Sequence, residues 1–293
     1  MKISASMVKE LRERTGAGMM ECKKALIETD GDIEVAIEQM RISGLAKADK
    51  KSDRTAAEGI VYIAATNTSA AILEVNSETD FVAKADDFLS FVSGTTNCVL
   101  ENAVGNVEEL LELPLNKNQA GTVNQARQVL IGKIGENIQV RRFQRFATEG
   151  QVVSHYLHGA KIGVLVVLDG GNETLAKDIA MHIAASKPVC IDESGVPAEL
   201  LEKEKSILTA EAKESGKPDN IIEKMIQGRI KKYLAEITLV GQAFVKDSEQ
   251  TVAQLLKAND ATVKNFVRFE VGEGIEKKED NFAEEVMAQV KGS

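Results

Sequence analysis

Apolar residues recur at helical spacing through the first fifty positions and then switch to the alternation of strands, and that change of period divides the chain. Met7, Val8 and Leu11 fall on one face of a first helix after Ser4 and Ser6, either of which can cap its N-terminus; Gly16-Ala17-Gly18 ends it. A second helix is predicted from about Met19 to Glu28, stopping at Asp30-Gly31. The third begins at Asp32, with acidic residues in its first turn where the helix dipole favours them, and sets Ile33, Ala36, Ile37 and Met40 along one side. Three helices in roughly 45 residues bury little surface, so this piece is expected to lean on another. The polar stretch AKADKKSDRT behind it carries no apolar period and reads as a linker or a frayed helix.

From residue 55 the pattern is that of α+β structure. Gly59 to Ala64 and Ala70 to Val75 predict two strands of a hairpin around Thr66-Asn67-Thr68-Ser69, followed by a helix carrying Phe88, Leu89, Phe91 and Val92. The arrangement recurs about 91 residues later. Glu58-Gly59 matches Glu149-Gly150, Val61 matches Val152, Leu73 and Val75 match Val164 and Val166, and Phe88 and Val92 match Ile179 and Ile183. Two similar α+β subdomains are implied. Between Pro197 and Leu239 the pattern is helical again: Leu200, Leu201, Ile207 and Leu208 mark one stripe, and Ile221, Ile222, Met225, Ile226, Ile230, Tyr233 and Leu234 a denser one, with Ser215-Gly216-Lys217-Pro218 as the turn between. This predicts an antiparallel helical hairpin whose stripes can close on each other and on a second copy, so a homodimer through the hairpin is expected. Strand character returns at Phe266 to Val271 before Gly272-Glu273-Gly274, and a final amphipathic helix carries Phe282, Val286 and Val290.

Charge narrows the function. The 293 residues include 36 Lys or Arg and 45 Asp or Glu, a net charge of −9. Through Arg54 the chain has 11 basic and 10 acidic residues, and the remaining 25 and 35 put the acidity on the body of the protein. A nucleic-acid carrier needs a basic footprint to neutralise phosphates, so no direct nucleic-acid binding is expected. Cys22, Cys98 and Cys190 are an odd, scattered set, which excludes a disulfide framework and fits a reducing compartment; the histidines are His155, His158 and His182. The N-terminus carries charges and no apolar leader core, and the longest apolar run, Val164 to Leu168, is far too short for a membrane span; a cytoplasmic protein is expected.

No catalytic constellation emerges. Gly16-Ala17-Gly18 and Gly272-Glu273-Gly274 each lack the third glycine of a dinucleotide fingerprint and read as turns. His155 and His158 have no carboxylate or Cys cluster at metal-ligand spacing, Cys22 belongs to the apolar set of the second helix, and Asp30-Gly31-Asp32-Ile33-Glu34 has its glycine at the wrong place for a calcium loop. Neither metal nor cofactor is expected. Two segments admit two readings each. In Asn76-Ser77-Glu78-Thr79-Asp80-Phe81-Val82, Thr79 or Asp80 caps the following helix while Phe81 anchors in the core, the commonest use of such residues; or a carboxylate and a ring on a rigid turn form a wedge for a partner protein. Met19-Met20 can send one methionine into the three-helix core and leave the other facing out, where a flexible thioether suits a protein groove.

At these residues the chain resembles a known family. LRERTGAGMMECKKAL (Leu11 to Leu26) and EVNSETDFVAKAD (Glu74 to Asp86) are closely similar to the two signature segments of the bacterial translation elongation factor Ts family. The likeness continues through KIGENIQVRR, YLHGAKIGVL, MHIAASKP and RFEVGEGIEK, so it spans nearly the whole chain. Ser77 departs from the family, in which Cys is frequent there, and 99–128 matches least. The resemblance implies an α+β architecture: a three-helix ubiquitin-associated-like domain with its linker (1–54), a duplicated α+β core (55–148 and 149–275) with the helical hairpin inserted at about 191–239, and a C-terminal helix module (276–293).

The function it implies is guanine-nucleotide exchange on elongation factor Tu, a GTPase: binding the GDP form, disturbing its Mg²⁺ site and promoting GDP release. Thr79, Asp80, Phe81 and Val82 match the segment that displaces the partner's Mg²⁺, with Phe81 wedging between the GTPase's helices and Asp80 disturbing the neighbouring network. Met19, Met20, Ile134 and His158, and the final helix, match further partner contacts. No enzyme chemistry follows from the resemblance. Two other classes remain open: an adaptor binding a ubiquitin-like partner through the three-helix domain, and an enzyme with an unrecognised site.

Overall fold

The computed structural model describes residues 3–116, 121–214 and 218–276. In chain order the helices are α1 (Ala5–Thr15), α2 (Met19–Glu28), α3 (Ile33–Asp49), α4 (Asp86–Glu101), α5 (Val107–Glu112), α6 (Val123–Ile134), α7 (Glu173–Ser186), α8 (Ala198–Glu214), α9 (Asp219–Ile237) and α10 (Val252–Ala258). The strands are β1 (Glu58–Ala65), β2 (Ser69–Ser77), β3 (Ile138–Ala147), β4 (Val152–His158), β5 (Ile162–Gly170), β6 (Ala243–Phe244), β7 (Asp247–Thr251) and β8 (Ala261–Glu270). The α+β class expected from the periodicity is observed. The chain forms two compact units, one of residues 1–60, 73–142 and 271–293 and the other of 61–72 and 143–270.

The first unit contains the N-terminal helices. Ser4 caps α1 by accepting the Met7 N–H at 3.2 Å, and Gly16 ends it at φ 67°, a left-handed conformation glycine adopts without a Cβ clash. Leu11, Cys22, Ala25, Leu26 and Ala36 form a small core, so Cys22 packs as its place in the apolar set suggested. The helices do lean on a neighbour: α3 packs along α6, where a Cβ on Gly132 would stand only 3.4 Å from the Gly44 Cα. That support explains why α3 runs on to Asp49, into polar residues without apolar period; tertiary packing outweighs weak local signals. The predicted hairpin turn, in the 61–72 segment that belongs to the second unit, forms through Thr66 N–H donating to Ser69 O at 2.7 Å. Strand β2 lies in the middle of the β1-β2-β3 sheet and is buried at every position. Phe88, Phe91 and Val92 turn inward from α4, while Leu89 stays partly in water.

In the second unit β5 is the central strand of an antiparallel β4-β5-β8 sheet, which accounts for its unbroken apolar run from Val164 to Leu168. Helix α7 covers it with Ile179 and Ile183 fully buried. Strand β8 begins five residues earlier than the Phe266 start predicted from sequence, because pairing with β5 extends the ladder to Ala261. His182 is buried beneath the β6–β7 hairpin: Val245 N–H donates to its Nδ1 at 3.2 Å, leaving Nε2–H to donate to Gln242 Oε1 at 2.9 Å. Helices α8 and α9 pack on each other through Leu208, Ala212 and Ile222 and are joined by an Arg229–Glu211 ion pair of 2.6 Å, while Ile207 and Ile221 face water. The turn predicted at 215–217 and the final helix carrying Phe282, Val286 and Val290 lie outside the described residues.

Candidate functional site

Strand β2 delivers the chain to the loop at Glu78 to Phe81, and a short 3₁₀ turn at Val82–Lys84 leads on to α4. Neither Thr79 nor Asp80 caps α4, whose N-cap is Ala85 without a side-chain bond. Thr79 is engaged elsewhere. Its backbone N–H donates to Glu136 Oε2 at 2.9 Å and its hydroxyl to Glu136 Oε1 at 2.7 Å, so one carboxylate grips both donors of one residue. In return Asn137 N–H donates to Glu78 Oε1 at 2.6 Å. Ser77, buried at the end of β2, donates its hydroxyl to Thr79 O at 2.9 Å, which places the residue that departs from the family inside the same turn.

The ring of Phe81 does not anchor in the core. It is 80% exposed, whereas the next two residues, Val82 and Ala83, are buried. The physical reason is the clamp: with Thr79 held to Glu136 and Val82 turned inward, Asp80 and Phe81 between them face water. Asp80, half-exposed, pairs with Lys84 at 2.7 Å one turn later. The methionines depart from expectation as well. Both are exposed, Met19 at 60% and Met20 at 77%, because Cys22, Ala25 and Leu26 fill the core face of α2 and its first turn lies beyond them.

Ile134, half-buried, is the last residue of α6, directly before Gly135 and Glu136, so the structure brings it to the turn that holds Thr79. Lys133 links the same helix end to α4 through Asp87 at 2.7 Å and lies against Gly16, the start of the turn that precedes the methionines. His158 belongs to the second unit, at the exposed end of β4, with its Nδ1 3.2 Å from the Tyr156 hydroxyl. Among the described residues no group of His, Cys, Asp and Glu could hold a metal, and no helix is long and apolar enough to cross a membrane.

The family model described as elongation factor Ts matches residues 78–273, which begins at the clamped loop. A relative from Methylococcus capsulatus, named elongation factor Ts, is 62% identical with both chains covered in full. Relatives of the same name from Alkalilimnicola ehrlichii and Legionella pneumophila are 60% and 58% identical, over 100% and 99% of each chain. The chain belongs to the elongation factor Ts family. Membership makes it a nucleotide exchange factor of translation elongation. Glu78, Glu136 and Asn137 were not singled out by reading the sequence, although Glu136-Asn137 directly after the α6-ending Gly135 is the visible signal: a glycine C-cap followed by two residues able to bond outward.

Proposed function

We propose that this chain is the guanine-nucleotide exchange factor of elongation factor Tu, working from the cytoplasm without cofactor, and that Thr79, Asp80, Phe81 and Val82 carry the exchange. The observation that supports the site is an aromatic ring left 80% in water on a backbone held by a bidentate carboxylate. Burying such a ring in a partner is worth about 1.5–3 kcal/mol. Mg²⁺ bridges the GTPase's phosphates to protein oxygens, so moving the partner's elements that hold it weakens phosphate binding. The factor need not chelate the ion. It needs only to bind the nucleotide-free partner more tightly, and by linkage it lowers GDP affinity by the ratio in which GDP lowers affinity for the factor.

In this reading Met19, Met20 and Ile134 of the first unit and His158 of the second add contacts. The three helices form a ubiquitin-associated-like domain (1–54), and the two strand-strand-helix arrangements form a duplicated core (55–148 and 149–275). Similar roles for β1, β2 and α4 on one side and β4, β5 and α7 on the other support the duplication. The decisive measurement is release of labelled GDP from elongation factor Tu with and without the chain. Phe81→Ala is expected to slow the stimulated release at least about tenfold, ~1.4 kcal/mol, with melting unchanged because the ring is exposed. Stimulation by Phe81→Ala equal to the natural chain's would remove the wedge.

A further inference from the structure

We propose that Glu136 is the positioning residue of the exposed wedge: its carboxylate sets the backbone at Thr79 so that Phe81 stands away from the protein before any partner arrives. The proposal deepens the exchange reading above and rests on it for its functional consequence. Phe81 is 80% exposed, so packing does little to hold it, and its direction must come from its neighbours' bonds. Glu136 takes the Thr79 N–H and hydroxyl on separate oxygens, which constrains backbone and side chain of that residue together. The reciprocal bond from Asn137 N–H to Glu78 converts a pivot into a two-point clasp, since one bond permits rotation and two antiparallel ones resist it.

The clasp is itself anchored. Gly135 turns the chain at φ 89° at the end of α6, and Lys51 Nζ donates to its carbonyl. Asn137 Nδ2 donates to the carbonyls of Ser52 at 3.2 Å and Arg54 at 2.7 Å, and the Arg54 guanidinium lies 3.6 Å from Glu78. The 135–137 turn is thereby tied to the segment that follows α3 as well as to α6, and offers the loop a fixed support. A loop ordered in the free protein does not have its ordering cost charged against binding, so the clasp raises the fraction of molecules ready to engage.

Two readouts test this. In the isolated full chain, Glu136→Ala removes both acceptors of Thr79, and the Thr79 amide is expected to exchange with deuterated solvent at least about tenfold faster. In stimulated GDP release the same variant is expected to raise the half-saturating concentration of the chain about tenfold while keeping the rate at saturation, because partner binding pulls the loop into place. Phe81→Ala, by contrast, lowers the saturated rate. Thr79→Ser keeps the hydroxyl and is expected to behave as the natural chain; Thr79→Val, which keeps only the backbone bond, is expected to show part of the Glu136→Ala effect, and the double variant to be no worse than Glu136→Ala alone. Unchanged amide exchange at Thr79 in Glu136→Ala, or additive effects in the double variant, would overturn the proposal. A natural chain that fails to accelerate GDP release would instead remove the exchange reading, with amide exchange still deciding the role of Glu136.

Discussion

Glu74 and Phe81 lie seven residues apart and meet opposite fates: the charged residue is wholly buried and the aromatic one stands in water. Burial pushes the Glu74 carboxyl up, but the Gly272 N–H at 2.9 Å and the guanidiniums of Arg142 at 2.6 Å and Arg141 at 2.9 Å outweigh it and hold it below the usual carboxylate range. Arg142 also reaches Glu273 at 3.3 Å and Arg141 its carbonyl, so the node fastens the chain leaving β8. Glu74→Gln is expected to cost ~3 kcal/mol, the low end for a broken buried pair because both guanidiniums keep some contact with water; urea unfolding measures it. A midpoint unchanged from the natural chain would show the node to be dispensable. A glutamate inside the apolar run ILEV is visible as an anomaly in the sequence, but its partners, 67 and 68 residues onward, are not.

At the scale of elements, period and punctuation identify helices and strands wherever one face is buried over several turns. The three N-terminal helices, the β1–β2 hairpin, α4 and the α8–α9 pair are legible in this way. Strand β3, the short hairpin β6–β7 and helices α5, α6 and α10 were not recognised. In β3 only Ile138 and Val140 are buried and the rest is half-exposed or exposed, so its alternation is faint. Helices α6 and α10 carried a usable signal: Thr122-Val123-Asn124-Gln125 and Thr251-Val252-Ala253-Gln254 are both capping boxes, with each threonine accepting from the glutamine N–H and each glutamine accepting in return. Since α6 ends in the turn that holds Thr79, its stability bears on the site. Thr122→Ala is expected to lower stability by ~1 kcal/mol, read as a loss of thermal midpoint without change in the folded circular dichroism spectrum. No loss of midpoint would mean that α6 draws its stability from packing alone.

For the whole molecule, the two units titrate differently. His182, in the second unit, has its pKa lowered by burial, only partly offset by the Gln242 bond. The unfolded chain therefore takes up the proton more readily, so the stability it contributes is complete above about pH 6.5 and is lost as pH falls through the folded value. Glu74, in the first unit, is held below its unfolded value, so its contribution is complete above about pH 4.3 and is lost only below that, through its folded value. Scanning calorimetry is expected to show the thermal midpoint falling as pH drops below about 6.5, the loss from His182, and falling further below about pH 4.3, the loss from Glu74. A midpoint that stays constant from neutral pH down to about pH 4.3 would contradict the His182 contribution. The sequence by itself determined the α+β class, most of the long elements and the family, because periodicity and local segments record which face of an element is buried. Only the tertiary structure decided that Phe81 faces water, that both methionines do, that α3 continues through polar residues and that Glu136 holds Thr79. The loop and the helix extension depend on partners remote in sequence, Thr79 on Glu136 57 residues away and α3 on α6, and no local pattern encodes what will be packed opposite.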